Sequence, residues 1–74
     1  MKSRLRVVLA EKEIREGRTI SLREVVRAAD VPISTVMGLA NNTMREIPVE
    51  ALGALCRYFD CEVGDLLRME EVAG

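Results

Sequence analysis

Glu24-Val25-Val26-Arg27-Ala28-Ala29-Asp30-Val31-Pro32-Ile33-Ser34-Thr35-Val36 holds a helix end, a break and a helix start, and its reading sets the fold of the whole chain. Leu22, Val25, Val26 and Ala29 fall at i, i+3, i+4 and i+7, the spacing of a helix with one buried face, while Arg23 and Arg27 lie away from that face. Asp30-Val31-Pro32 must break this helix, because Pro32 lacks an amide hydrogen and disfavours helical geometry in the residue before it. Proline is favoured in the first turn of a helix, so a further helix is predicted over about residues 32–41, burying Val36, Leu39 and Ala40.

Working outward, a first helix is predicted from Ser3 to Glu16, with Leu5, Val8, Leu9 and Lys12 on one stripe and Ile14 near its end; Gly17 stops it. Ser21-Leu22-Arg23-Glu24 has the form of a capping box at the start of the second helix. On the other side, Asn41-Asn42-Thr43 ends the third helix, and a polar loop through Arg45 and Glu46 reaches the helix-opening pair Ile47-Pro48. A fourth helix then buries Leu52, Leu55, Cys56 and Phe59, Asp60-Cys61 turns the chain, and Val63, Leu66 and Leu67 form a short fifth helix. Glu70 to Gly74 reads as a frayed tail. We therefore expect an all-α fold, a five-helix compact bundle forming a single domain over residues 1–74 with its core at about 5–67.

Composition agrees. Leu, Val, Ala, Glu and Arg dominate, and Tyr58 and Phe59 are the only aromatics, poor material for strands. A chain of 74 residues buries one core and cannot divide it. Cys56 and Cys61 make no disulfide framework, and no hydrophobic leader opens the chain, so a cytoplasmic location is expected. The longest uncharged run, Val31 to Met44, is too short and too polar to cross a bilayer. There is no His, no glycine-rich phosphate loop and no cysteine with a base partner, which argues against an enzyme. Cys56 and Cys61 lack the further ligands of a zinc site, and neither metal nor cofactor is expected.

The formal charge of −1 conceals a division. Residues 1–45 carry nine basic and five acidic side chains, a net of +4; residues 46–74 carry two basic and seven acidic, a net of −5. One surface of such a molecule can approach phosphate while another faces away.

Two short helices across a three- or four-residue turn are the physical content of a helix-turn-helix, in which the first braces the second in the major groove of DNA. The stretch from Glu24 to Val36 resembles the helix-turn-helix of the Cro/lambda-repressor (XRE-type) regulators. The later run Ile47-Pro48-Val49-Glu50-Ala51-Leu52, Leu55-Cys56, Tyr58-Phe59-Asp60-Cys61 and Val63-Gly64-Asp65-Leu66-Leu67 resembles the C-terminal helices of that family's compact members. Asp30 stands where the family has a tight-turn Gly, Val26 where it has a small Ala, and no Arg or Lys lies between Val31 and Met44.

The resemblance implies a sequence-specific regulator of double-stranded DNA, a repressor, whose third helix meets bases through Ile33, Ser34, Met37, Gly38 and Asn41. Ser34 and Asn41 supply hydrogen bonds, Ile33 and Met37 supply contacts to thymine methyls, and Gly38 permits close backbone approach. The phosphate contacts are assigned to Ser21, Arg23, Arg27, Asn42, Thr43 and Arg45, with Thr35 supporting the third helix from within. The competing reading of Ile33 and Met37 is that they complete a core or a protein contact. Reading a duplex with so few base contacts calls for a homodimer, with Val7, Leu67, Met69 and Val72 as apolar interface candidates. The alternative is a protein-interaction module or antitoxin-like component on the same fold.

Overall fold

The helices of this chain are short, so the chain reversals that end them govern how they pack. The computed structural model describes residues 2–68. The predicted frayed tail and the interface candidates Met69 and Val72 lie outside those residues. The described elements are β1 (Lys2–Ser3), α1 (Leu5–Glu16), α2 (Leu22–Ala29), α3 (Ile33–Ala40), α4 (Val49–Phe59), α5 (Val63–Leu66) and β2 (Leu67–Arg68). Left-handed backbone follows each of the first four helices, at Gly17 (φ 65°), Asp30 (φ 57°), Asn42 (φ 57°) and Asp60 (φ 53°). Gly enters this region freely, and Asp and Asn enter it more readily than other side chains. Asp30 thus takes the tight-turn conformation for which a glycine is the usual residue.

The five predicted helices are all present, together with a two-residue ladder between residues 2–3 and 67–68. β1 pairs antiparallel with β2, Lys2 opposite Arg68 and Ser3 opposite Leu67. The first helix accordingly starts at Leu5 rather than Ser3, whose hydroxyl accepts the Leu5 amide at 3.2 Å. Leu67 leaves the fifth helix for the ladder, because a one-turn helix is too weak to hold it and pairing satisfies its backbone.

The core joins Leu5, Val25, Val36, Leu39, Leu55, Phe59 and Leu66, all essentially inaccessible to solvent. On α4, Ala51 takes a buried place, and Leu52 and Cys56 are half-buried at the core's margin. Ile14 is 81% exposed. It lies five residues past Leu9, about 140° around a helix of 3.6 residues per turn, and so points away from the stripe.

The α1–α2 corner is held by charge. Arg18 donates to Glu16 at 3.0 Å and to both carboxylate oxygens of Glu24 at 3.0 and 2.6 Å, and Lys12 pairs with Glu16 at 2.7 Å. The predicted capping box is therefore half made: the Ser21 hydroxyl accepts the Glu24 amide at 3.2 Å, but the Glu24 carboxylate goes to Arg18 instead of returning to Ser21. Lys12 holds the Glu16 carboxyl below the usual range, and Arg18 does the same for Glu24.

Leu55→Ala is expected to cost about 2–5 kcal/mol in urea unfolding, since it leaves a cavity in a closed core. Ile14→Ala should stay within about 0.5 kcal/mol of the parent. Both glutamates have folded-state pKa values below the ordinary 4.5, so their ion pairs contribute fully above that pH and are lost as pH falls through the lowered values. Carboxyl NMR titration should find both midpoints below 4.5, moving back towards it in about 1 M salt.

Candidate nucleic-acid interface

α2 packs on α3 through Val25 and Ala29, and α3 answers with Val36, Leu39 and Ala40. Thr35 is buried on the same helix. The opposite face of α3 is left to solvent: Ser34 and Asn41 are exposed, with Ile33 52% and Met37 38% exposed. Four of the five residues assigned to base reading therefore share one open face. Gly38 differs. It is half-buried, and a Cβ there would lie 3.2 Å from Met44 Cβ and 3.3 Å from Met44 Cε, so its missing side chain seats the α3–α4 loop.

Pro32 precedes α3 in extended conformation, giving no side-chain cap, and the first turn holds no acidic residue. The positive end of the helix dipole is thus left open to an anion. At the other end the accounting closes. An α-helix leaves its last four carbonyls without partners inside the helix. In α3 the carbonyl of Met37 takes the amide of Asn41 (2.9 Å), that of Gly38 the amide of Thr43 (2.9 Å), and that of Leu39 the amide of Asn42 (3.2 Å). This is a Schellman turn with Asn42 as its left-handed residue. The fourth carbonyl, of Ala40, accepts Arg6 Nε from α1 at 2.8 Å.

The phosphate-contact candidates divide. Arg23, Arg27 and Arg45 are exposed and make no ion pair among the described residues. Thr43 is exposed with its hydroxyl uncommitted among them, and the exposed Ser21 spends its oxygen on the Glu24 amide but keeps a hydroxyl proton. Asn42 is partly spoken for: its Oδ1 accepts the Ser3 amide at 2.9 Å, leaving its amide hydrogens for a ligand. Four other basic residues of the electropositive half serve the protein itself. Lys12 and Arg18 hold the acidic corner, Lys12 also lies 4.6 Å from the Tyr58 ring centre, Arg6 takes Ala40, and Arg15 Nη2 donates to the Phe59 carbonyl at 3.2 Å.

Sequence reasoning missed Ser3 and Arg6. Arg6 and Ala40 are 34 positions apart, and no local pattern connects a helix-one arginine with a carbonyl on α3. Burial pushes the Cys61 thiol up to about 11, which disfavours its thiolate at neutral pH, while Cys56 packs against the core. Among the described residues no three acidic or cysteine side chains gather as metal ligands, and no helix is long and apolar enough to cross a membrane.

No curated protein and no solved structure shows significant similarity to the chain. A family model for the Cro/C1-type HTH DNA-binding domain, however, matches residues 4–71. That span contains both helices of the motif, the left-handed turn between them and the helices that close the core, and the chain belongs to the family of Cro/C1-type helix-turn-helix DNA-binding domains.

Proposed function

We propose that this protein is a sequence-specific, double-stranded-DNA-binding transcriptional regulator, a repressor that works as a cytoplasmic homodimer and has no catalytic activity. The observation that carries the reading is the division of labour in α3, whose inner face and terminal carbonyls are committed to the fold while Ile33, Ser34, Met37 and Asn41 are free. A side chain free of the core and held on a rigid helix is what groove reading requires.

Asn41 pairs with an adenine edge, Ser34 bonds a base edge, and Ile33 and Met37 meet thymine methyls, favouring A/T-leaning sites. Arg23 and Arg27 on α2 and Thr43 and Arg45 after α3 grip phosphates on either side, with the hydroxyl of Ser21 and the amide of Asn42 adding neutral contacts. Two copies place their α3 helices about 34 Å apart over an inverted repeat. Val7, 43% exposed beside the β1–β2 ladder, and the half-buried Leu67 are the described candidates for the contact between them. A bound dimer represses by occupying the groove that another protein would need.

Selection of bound fragments from a random duplex library should return an inverted repeat rich in A/T. Anisotropy titration against it should give a slope of about −5.4 for log affinity against log salt, the value for six phosphates neutralised by Arg23, Arg27 and Arg45 of the two copies. Arg45→Ala should weaken binding to every duplex alike and flatten that slope, whereas Asn41→Ala should cost about 1–3 kcal/mol at one base position only. A flat salt response combined with tight protein binding would instead support the interaction module.

A further inference from the structure

Arg6 is the basic residue that closes the hydrogen-bond accounting of α3, and it comes from a different helix. α3 has no basic residue in its last turn, so nothing of its own offsets the partial negative charge gathered on its terminal carbonyls. The same stretch of chain grips the same corner a second time, through the Ser3 amide on Asn42 Oδ1, and is itself fixed by the Arg4 amide on the Leu66 carbonyl at 2.7 Å. The C-terminal end of α3 is therefore pinned from outside the helix-turn-helix.

The tilt of an eight-residue helix packed on one face is set by that packing together with what holds its two ends. At its N-terminal end α3 is covalently tied to the Asp30 turn; at its C-terminal end the loop that follows is held by Gly38 against Met44 and by the N-terminal segment. We infer that Arg6 is a positioning residue for base reading: through Ala40 it sets the angle at which Asn41 and Met37 enter the groove, without itself touching DNA. This rests on the DNA-binding reading above.

Arg15 provides the internal control. It sits on the same helix and performs the same act on α4, donating to the Phe59 carbonyl behind a left-handed Asp60, yet α4 carries none of the residues assigned to bases. The experiment compares Arg6→Ala, Arg6→Lys and Arg15→Ala, each confirmed folded by thermal melting. Affinity is measured for the selected duplex and for a random duplex over a range of salt.

Arg6→Ala should lower the selected-to-random affinity ratio on the order of tenfold, the effect of impairing one base contact, while the salt slope on random duplex stays at the parent value. Arg6→Lys, which keeps a donor and the charge, should recover part of the ratio. Arg15→Ala should leave the ratio unchanged even where it lowers the melting temperature as much as Arg6→Ala. Amide exchange in the free Arg6→Ala protein should quicken at Asn41 and Thr43.

A slope reduced by about 0.9 per protomer with the ratio intact would make Arg6 a phosphate contact and overturn the proposal. An equal loss of ratio in Arg15→Ala would overturn it by reducing the effect to stability. Parent protein that binds duplex, with all three variants indistinguishable from it, would overturn this inference alone. Parent protein that binds no duplex would overturn the DNA-binding reading together with it.

Discussion

Half of the carbonyls of an eight-residue helix have no partner within that helix, and in this protein the motif is built from two such helices. An unpaired carbonyl turned from water costs as much as a lost hydrogen bond, so the fold has to bring a donor to each. In α3 all four are met, and α4 repeats the arrangement in part. α3 and α4 both end in a Schellman turn around a left-handed Asn or Asp, and both receive an arginine from α1 on a remaining carbonyl. α1 contributes Leu5, Val8 and Leu9 to the core from one face and, through Arg6 and Arg15, closes two other helices from its flanks. Apolar burial draws the helices together without fixing direction; these directional bonds fix how they meet.

The same bonds explain why net charge is a poor guide to this surface. The electropositive half of the chain is only partly an electropositive surface, since Lys12 and Arg18 are paired with the carboxylates of Glu16 and Glu24, whereas Arg6 and Arg15 bond neutral carbonyls and keep their charge. Arg23, Arg27 and Arg45 are left exposed around the motif. A residue's sign matters to a polyanion only when its charge is not already answered from within.

Much of this was legible in the sequence because it depends on neighbours. The 3.6-residue spacing of Val25 and Ala29 and of Val36, Leu39 and Ala40 gave the two facing surfaces, and Pro32 and Pro48 marked two helix starts within a residue. The turn at Asp30 was legible only through the resemblance, which puts a tight-turn glycine at that position, and Asp enters left-handed geometry more readily than most residues. What escaped depends on distant partners. The ladder joins residues 2–3 to 67–68, Arg6 meets Ala40, and Glu24 answers Arg18 across the loop rather than Ser21 beside it. Gly38 looked like a gap left for a ligand, and only the position of Met44 gives it a packing reason. Which face of α3 is open follows from periodicity; how that face is aimed does not.

Because α3 is anchored by backbone carbonyls and by its inner face, its four outward side chains bear a smaller part of the fold's stability than the buried Val36, Leu39 and Ala40. Selection could exchange Ile33, Ser34, Met37 and Asn41 in many combinations without threatening the scaffold. A small protein arranged in this way is open to rapid divergence: duplicated copies could drift to new recognition preferences while the frame that carries them stays the same.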